Sequence, residues 1–328
     1  MNSEERVLVT GANGLLGTNT IIELLNQGYH VTGFLRDKKS FVGSSHHNLE
    51  FVEGNILNKD DLNRALINCK YIIHIAATTD PKLSKYSDFE KINVSGTINV
   101  VETAIEKNLK RIIYVSTANT FGYGSLDSLG DESKQMMSPF IKSNYSKSKK
   151  EAQDYVLTKK NEIETVIVNP SFMIGAYDSK PSSGKIILIG IKKHILLCPP
   201  GGKNFVCVKD VSKGIIAALN QGSAGEAYLL SNANMSYRLF FKLLRNHTKS
   251  KTIILQLPKF VLLIVGWIGN CMRFVGFKTQ FSLDNMKILC VKNYYSNTKA
   301  KEQLGISFSP IESGLLETID WFKNNNKL

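Results

Sequence analysis

The sequence predicts a doubly wound α/β fold, and two observations carry this prediction. Through the first half of the chain, short and nearly continuous apolar segments alternate with segments of helical periodicity. This pattern is typical of parallel strands that are buried on both faces and joined by helical crossovers. A glycine-rich turn also follows the first apolar segment directly. We therefore expect a parallel sheet with helices on both faces.

Six segments in the first half have the apolar character of buried strands. The predicted strands are 6–11, 30–36, 49–54, 71–77, 111–117 and 164–170. Apolar residues recur at helical spacing between them, and Gly28 stands where a helix commonly ends. The predicted helices are 18–27, 58–66, 88–107 and 144–160.

The turn after the first strand reads T-G-A-N-G-L-L-G and places Gly11, Gly14 and Gly17 between a strand and a helix. Glycines at this position permit a tight turn, close approach of a pyrophosphate to the helix N-terminus, and close packing of helix on strand. A three-glycine pattern alone is weak, but its place at the first strand-to-helix turn supports a dinucleotide-binding site.

The second half of the chain is less regular, with loops at P-S-S-G and C-P-P-G-G-K. The segment F-V-C-V-K-D-V, residues 205–211, is predicted to return to the sheet, with a helix behind it. We expect residues 1–170 to form a dinucleotide-binding Rossmann domain, to which the chain returns at about 204–222. Residues 171–203 and 223–328 are expected to form mainly a smaller, mostly C-terminal substrate-binding lobe.

Composition limits the classes of protein to consider. The chain has 328 residues, 43% of them hydrophobic, which suffices for a substantial core. Its five cysteines include no C-x-x-C pair, so neither a disulfide framework nor a metal site is expected. No export signal is visible at the N-terminus, and a cytoplasmic location is expected.

The formal net charge is +13, but only seven of the basic residues are arginines, and no nucleic-acid-binding motif is present. A solvated basic surface is the preferred interpretation. Attraction of phosphorylated ligands and contact with an anionic membrane remain alternatives.

An apolar segment at 258–277 is too short and too interrupted for a transmembrane span. Burial in the smaller lobe or at a dimer contact is the preferred interpretation. A wall for a lipophilic substrate and a peripheral membrane contact are the alternatives.

Tyr145 and Lys149 stand four residues apart in a predicted helix and therefore on one face of it. An ammonium near a phenol favours the phenolate, so we expect Lys149 to lower the pKa of Tyr145 from about 10. Tyr145 would then serve as an acid and base near neutral pH.

Several motifs in order give the chain a resemblance to a known family over nearly its whole length. They are G-x-x-G-x-x-G at 11–17, H-I-A-A at 74–77, I-N-V-S-G-T at 92–97, V-S-T at 115–117, Y-x-x-S-K-K at 145–150 and N-P-S at 169–171. The chain resembles an extended short-chain dehydrogenase/reductase, nearest to the branch of dihydroflavonol reductases and 3β-hydroxysteroid dehydrogenases.

The resemblance implies roles for individual residues. Thr117, with Ser116 as the neighbouring alternative, would orient the reacting oxygen, Tyr145 would be the acid and base, and Lys149 would bind the nicotinamide ribose and tune the tyrosine. The implied cofactor surface consists of Gly11, Asn13, Gly14, Leu15, Gly17, Arg36, Asn55, Ile56, Ala76, Ala77, Tyr145, Lys149 and Pro170. Asn93 is either a site residue or an amide at a helix start.

Relatives that prefer NAD carry an acidic residue where this chain has Leu35, and Arg36 follows it. A guanidinium suits a 2′-phosphate, so NADP(H) is favoured, with Lys38 and Lys39 as helpers. Asp37 leaves NAD(H) possible.

The expected function is an NADP(H)-dependent oxidoreductase that interconverts a carbonyl and a secondary alcohol on a lipophilic or aromatic small molecule. The alternatives are an NAD-dependent sugar-nucleotide epimerase and a non-catalytic NADP-binding sensor or scaffold. The resemblance also makes a homodimer possible.

Overall fold

A computed structural model gives the structure of residues 5–328. Its centre is a sheet of seven strands that all pair in parallel. In order across the sheet, these strands are β10 (Ala227–Leu230), β6 (Glu164–Pro170), β5 (Arg111–Val115), β4 (Tyr71–His74), β1 (Arg6–Thr10), β2 (His30–Leu35) and β3 (Leu49–Glu53).

Helices cover both faces of this sheet, which confirms the predicted doubly wound fold. One face packs against α1 (Leu15–Asn26) and α7 (Val208–Gln221). The other packs against α2 (Lys59–Ala65), α4 (Gly96–Glu106) and α5 (Asn144–Thr158). Apart from the edge strand β3, which has no buried residue, the strands are buried on both faces, which explains their nearly continuous apolar sequences.

The structure differs from the predicted elements in two places. The expected single helix at 88–107 is divided into α3 (Tyr86–Phe89), a π-helical turn (Glu90–Ser95) and α4. The prediction that 205–211 rejoins the large sheet is wrong, because that strand belongs to a smaller sheet. The helix behind it, α7, does pack on the large sheet, and β10 supplies the seventh strand.

The rest of the second half builds a second unit around two small sheets. One contains β7 (Phe172–Ile174), β9 (Gly202–Cys207), β11 (Ala233–Ser236) and β13 (Lys292–Asn293), and the other pairs β8 (Ile195–Cys198) with β12 (Ile253–Gln256). The remaining helices are α6 (Lys185–Lys192), α8 (Tyr237–Thr248), α9 (Lys259–Phe274), α10 (Leu283–Ile288), α11 (Thr298–Leu304) and α12 (Ile311–Asn324).

The apolar segment 258–277 forms α9 and the turn after it, and its burial in the lobe was predicted wrongly. Only Leu262, Gly266 and Gly269 of this helix are buried, whereas most of its large apolar side chains are exposed, among them Phe260 and Trp267. Across residues 5–328, no helix combines the length and apolar character needed to cross a membrane.

Candidate active site

A cleft of about 1420 Å³ opens where the carboxyl ends of the central strands face the smaller lobe. Strand order reverses between β1 and β4, and ligands of open α/β sheets bind at such a point. All predicted site residues except Pro170 line the cleft, namely Gly11, Asn13, Gly14, Leu15, Gly17, Arg36, Asn55, Ile56, Ala76, Ala77, Thr117, Tyr145 and Lys149. Pro170 is buried at the end of β6, and the lining begins one residue later at Ser171.

The three glycines of the first turn serve different physical purposes. Gly11 has a positive φ of 70°, and a Cβ there would stand 2.9 Å from the backbone nitrogen of Ala76. A Cβ on Gly17 would stand 2.1 Å from the carbonyl oxygen of Gly11. A Cβ on Gly14, however, would meet nothing closer than 3.4 Å. The protein's own packing thus requires glycine at 11 and 17, while Gly14 keeps a space open on the cleft side.

That space adjoins the N-terminus of α1. Gly14 is the N-cap residue, no side chain caps the helix there, and its first turn contains no acidic residue. Leu15, Leu16 and Gly17 line the cleft. Backbone N–H groups in a first turn lack partners within the helix, and the helix dipole favours an anion beside them. The turn therefore fits the pyrophosphate of a dinucleotide.

Thr10 joins the glycine turn to the next wall of the cleft. Its Oγ1 accepts hydrogen bonds from the backbone nitrogens of Ile75, at 3.1 Å, and Ala76, at 3.2 Å, and lies 2.7 Å from Nδ1 of His74. Nε2 of His74 lies 3.0 Å from Oγ1 of Thr97. Burial lowers the pKa of His74 to about 3, so the ring is neutral. The H-I-A-A motif is thus fixed to β1 by a buried polar network.

The end of β2 carries the residues that bear on cofactor choice. Leu35 and Arg36 line the cleft, and Arg36 is exposed. The Asp37 carboxylate accepts a hydrogen bond of 2.9 Å from the backbone nitrogen of Lys39 and caps a short 3-10 turn. Asp37, Lys38 and Lys39 are exposed and do not line the cleft. Arg36 is therefore the charged residue that this strand end presents to a ligand.

Asn55 and Ile56 form the opposite wall at this end. Asn55 is exposed, and its Oδ1 accepts a hydrogen bond of 3.1 Å from the backbone nitrogen of Leu57. Its backbone nitrogen donates to Asp61 at 2.9 Å. Ile56 is largely buried and lines the cleft beside Asn55. The Asn55 side chain is fixed by its own turn, with its amide group beside the cleft.

Thr117, Tyr145 and Lys149 meet at the base of the cleft. Tyr145 stands in the first turn of α5, which Ser143 caps, and its phenol lies near enough to the Thr117 side chain for that hydroxyl to affect the pKa of the tyrosine. Lys149 is 2% exposed; its Nζ donates to the carbonyl oxygen of Val115 at 2.7 Å and lies 4.2 Å from the centre of the Tyr114 ring. One helix turn and one strand end thus bring the three side chains together.

The expectation that Lys149 lowers the pKa of Tyr145 is wrong, because Lys149 is not among the groups that shift it. Burial raises the pKa of Tyr145 to about 12, against the opposing effect of the Thr117 side chain. Burial also lowers the pKa of Lys149 to about 7. The Lys149 ammonium is directed at the Val115 carbonyl, and its charge is disfavoured by desolvation. The four-residue spacing placed the two groups on one helix face, but it did not determine where the Lys149 ammonium points.

A buried polar network holds the turn that carries Thr117. The Asn169 amide donates to the Thr117 carbonyl at 3.1 Å, to Oγ1 of Thr120 at 3.0 Å and to Oε1 of Gln153 at 2.8 Å. Oγ1 of Thr120 donates to the Thr117 carbonyl at 2.9 Å. The neighbouring Ser116 is buried in the cleft wall, and its hydroxyl has no hydrogen-bond partner among the described residues. Thr117, by contrast, reaches Tyr145.

Asn93 is neither a lining residue nor a helix cap. It is fully buried in the π-helical turn, where its Oδ1 accepts from the Thr78 nitrogen at 2.7 Å. Its Nδ2 donates to Oγ of Ser148 at 2.9 Å. Asn93 therefore positions the loop after β4 against α5.

The sequence also agrees with a family model described as the NAD dependent epimerase/dehydratase family, which matches residues 7–231. The chain belongs to this family. It is accordingly an enzyme of the NAD(P)-dependent oxidoreductase type. The match ends just beyond β10 and thus covers all seven strands of the large sheet.

Relatives of the chain include several proteins named as reductases. It is 28% identical to a putative dihydroflavonol 4-reductase of Synechocystis sp., covering 97% of this chain and 94% of that protein. It is 23% identical to sterol demethylase protein B of Methylococcus capsulatus, covering 98% and 99%. It is 27% identical to a 4-hydroxy-2-methyl-3-oxo-4-farnesyl-3,4-dihydroquinoline-1-oxide ketoreductase of Stigmatella aurantiaca, covering 77% and 76%.

Solved structures of similar fold include that of gox2253, with a TM-score of 0.86, 26% identity and full coverage of both chains. A Thermus thermophilus UDP-glucose 4-epimerase in complex with NAD has a TM-score of 0.77 at 17% identity, covering 97% of this chain and 99% of that one. At that identity the likeness concerns the fold alone.

The smaller lobe lines one part of the cleft, which we call its far half, with residues that sequence reasoning missed. Lys203 on β9 is half-buried, with its Nζ 4.6 Å from the centre of the Phe172 ring, and burial lowers its pKa to about 8. Asn293 donates to Oδ1 of Asn119 at 3.2 Å. Arg273, on α9, donates to the Pro81 carbonyl at 3.1 Å. These side chains come from separate segments of irregular sequence, so no local motif could have grouped them.

Proposed function

We propose that the protein is an NADP(H)-dependent oxidoreductase that interconverts a carbonyl and a secondary alcohol on a lipophilic or aromatic small molecule. The observation that carries the proposal is the contact of Tyr145 with Thr117, beside buried Lys149, in the same cleft as the open glycine turn. An acid, an orienting hydroxyl and a dinucleotide cradle in one cleft match the requirements of carbonyl reduction.

The cofactor, when bound, supplies or accepts the hydride. In the reducing direction the Tyr145 phenol donates a proton to the substrate oxygen, and Thr117 donates a hydrogen bond that orients that oxygen. Both side chains line the same cleft, where one substrate oxygen could meet the two hydroxyl groups. Lys149, at the base of the same cleft, would bind the nicotinamide ribose.

Two features at the end of β2 support NADP(H) over NAD(H). Arg36 lines the cleft, where its guanidinium can donate two parallel hydrogen bonds to a 2′-phosphate. Leu35 stands where an acidic residue would accept hydrogen bonds from the ribose, and the Asp37 carboxylate is engaged by Lys39.

The proposed substrate class rests on the relatives and on part of the cleft lining. Three relatives carry the names of enzymes of flavonoid, sterol or prenylated quinoline chemistry. Apolar side chains of Phe89, Phe140, Phe172, Met173 and Ile288 line the cleft together with the polar groups of its far half. A substrate with an apolar body and at least one polar end fits such a surface.

The test is a screen of carbonyl compounds and secondary alcohols with NADPH and NADP⁺, followed by Tyr145→Phe on the best substrate. We expect turnover to fall by roughly 100-fold or more, with substrate binding retained. Thr117→Val should lower turnover as well, whereas Ser116→Ala serves as the matched control and should not. Undiminished turnover by Tyr145→Phe would exclude Tyr145 as the acid.

Cofactor choice is tested by titrating NADPH and NADH into wild type and Arg36→Ala. Loss of an exposed charge-assisted contact should weaken NADPH binding by roughly tenfold and leave NADH binding unchanged. Lys38→Ala is the control, because Lys38 does not line the cleft. An unchanged ratio of the two affinities would show that Arg36 does not bind the phosphate.

A sugar-nucleotide epimerase is the second candidate, favoured by the polar groups of the far half. Lys203 and Arg273 could bind a diphosphate, and Asn204 and Asn293 could bind sugar hydroxyls. Purified protein that carries stoichiometric NAD and converts a nucleotide sugar without added cofactor would favour this candidate over the reductase.

A further inference from the structure

The helix α9 carries its large apolar side chains on the side that faces away from the protein. Exposed fractions are 64% for Phe260, 54% for Ile264, 64% for Trp267, 48% for Ile268 and 93% for Phe274. The spacing of the first four places them on one side of the helix, and we call the five residues together the outer stripe. An ordinary surface helix has the opposite arrangement, with apolar side chains directed towards the core.

The inner side of α9 is built for close packing with small residues. A Cβ on Gly269 would stand 1.3 Å from the Phe281 carbonyl oxygen, and one on Gly266 would stand 2.8 Å from Cα of Leu283. The helix is therefore held tightly against the lobe by its glycines. Its large apolar residues cannot serve that packing, so their burial requires a surface outside this chain.

A second exposed apolar face lies on the strand pair of β8 and β12, and β12 ends shortly before α9 begins. In the parallel pair of β8 and β12, Ile195 lies opposite Ile253 and Leu197 opposite Leu255. All four side chains are about half exposed or more, at 56%, 56%, 56% and 49%. The four side chains form one exposed apolar face of this strand pair, and such faces often mark a contact with another protein or a membrane.

The charge of the chain is concentrated in the sequence segments that contain these apolar faces. Residues 179–209 and 227–283 together contain fourteen lysines and arginines and no aspartate or glutamate. These segments therefore carry a formal charge of +14 and the rest of the chain −1, so the net charge of +13 comes from them. The interpretation of the charge as a solvated basic surface stays a prediction, and its uneven distribution along the chain supports the alternative of an anionic membrane.

Exposed cationic residues stand at the ends of the apolar elements. Lys193 and Lys251 precede β8 and β12, which run in the same direction, and the Lys193 carbonyl accepts a hydrogen bond of 2.9 Å from Thr252. Lys259 begins α9, and Lys278 follows it. An apolar helix face with aromatic residues and flanking lysines is the pattern of a helix that lies in a membrane interface.

We propose that the outer stripe of α9 docks the enzyme on the surface of an anionic lipid bilayer. Lipid complements both properties of the surface, since acyl chains accept the apolar side chains and anionic headgroups attract the lysines. A second copy of this chain fits less well. A two-fold interface would bring the same patch from both copies together, and its cations would face each other without acidic partners from these segments.

The docking helix also borders the candidate active site. Asn270 and Arg273, on its other side, line the cleft, and Asn270 accepts a hydrogen bond of 3.1 Å from the Leu283 nitrogen. The docked enzyme would thus hold its cleft beside the bilayer. For a lipophilic substrate, a consequence that rests on the proposed function, entry would then be from the membrane.

The test is flotation of the full chain with large unilamellar vesicles, either phosphatidylcholine alone or a mixture with phosphatidylglycerol. We expect binding to the anionic vesicles that weakens as salt is raised. The double variant Ile264→Gln/Trp267→Gln, which we call the stripe variant, should bind at least roughly tenfold more weakly, since two large apolar groups no longer enter the interface. The control Ile67→Gln/Leu126→Gln changes exposed apolar residues elsewhere and should bind like wild type.

Trp267 provides a direct spectroscopic readout. The chain has two tryptophans, so Trp321→Phe leaves Trp267 as the single reporter. Its emission should shift to shorter wavelength on anionic vesicles and be quenched by brominated lipids. Absence of vesicle binding, or equal binding by the stripe variant, would overturn the proposal. So would a wild-type dimer that the stripe variant converts to a monomer, with no lipid binding by either.

Failure of docking and failure of the proposed function remain distinguishable. Ile264 and Trp267 do not line the cleft, so the stripe variant should reduce a water-soluble carbonyl compound at the wild-type rate without vesicles. Its unfolding temperature identifies a variant that has lost its fold. Lys251→Gln/Lys259→Gln should reduce the preference for anionic over neutral vesicles by several-fold, because it removes charge and leaves the stripe intact.

Discussion

Replacing Lys149 with methionine should stabilise the fold while it removes activity. The pKa of the buried Lys149 ammonium is about 7, against an ordinary value of 10.5. A lysine with a lowered pKa binds fewer protons in the folded than in the unfolded chain, so its burial is most costly below pH 7 and costs nothing above pH 10.5. Methionine has a similar shape and no charge to desolvate.

The magnitude follows from two opposing contributions. The difference between the two pKa values corresponds to roughly 5 kcal/mol at pH values below 7. Methionine also removes the 2.7 Å hydrogen bond to Val115, and an unpaired buried carbonyl costs about 1–2 kcal/mol. We expect Lys149→Met to gain about 3 kcal/mol at pH 6, which raises the unfolding temperature by about 4 °C for a chain of this length.

The assay is calorimetry of wild type and variant from pH 6 to pH 10.5. The gain should shrink steadily above pH 7 and become a small loss near pH 10.5, where only the missing hydrogen bond counts. Lys147→Met, an exposed change on the same helix, should show no such pH dependence. A Lys149→Met variant whose stability differs from wild type by the same amount at every pH would refute the reasoning. Turnover should fall by roughly 100-fold or more whatever the stability.

Three further predictions concern the cradle, the polar network and the buried histidine. Gly14→Ala should fold like wild type but bind the dinucleotide more weakly, whereas Gly17→Ala should also lower the unfolding temperature. Cofactor titration and calorimetry distinguish the two variants. Equal losses of stability would contradict the contact distances. Asn169→Ala should lower kcat by roughly tenfold or more with little change in cofactor affinity, because the turn that carries Thr117 loses a hydrogen bond. Steady-state kinetics measures both quantities. A change confined to KM for the cofactor would contradict this prediction. Because the pKa of His74 is about 3 in the fold and 6.5 ordinarily, stability should fall as pH drops below 6.5; acid titrations of His74→Gln should show a shallower decline, and an identical one would refute the assignment.

Much of the fold could be predicted from the sequence because its signals are local. Each of the six strands expected in the first half is present, since buried parallel strands need continuous apolar residues. The helix at 88–107 was predicted without its π-helical turn, where Asn93 bonds to Thr78 and Ser148. Those partners come from distant parts of the chain, and helical periodicity contains no information about them.

The smaller lobe was predicted poorly for a related reason. Its strands are short, and β9 has three neighbours, β7, β11 and β13, from separate segments. The apolar character of 205–211 is equally compatible with either sheet. Burial of α9 within the lobe was predicted wrongly, while the dimer contact given with it stays a prediction. Hydrophobicity shows that a surface prefers to leave water, but not whether this chain supplies the partner.

By itself, the sequence determined the doubly wound fold, the glycine turn and the residues that meet at the base of the cleft, because each depends on spacing within one or two adjacent elements. Tertiary structure alone decided the electrostatics of that site. Whether Lys149 lowers the pKa of Tyr145 depends on where its ammonium points and how deeply it is buried, and both are set by Val115 and Tyr114 on a neighbouring strand. Tertiary structure also decided that the apolar residues of α9 face outward, since the glycines on its other side pack against residues that follow the helix in the chain.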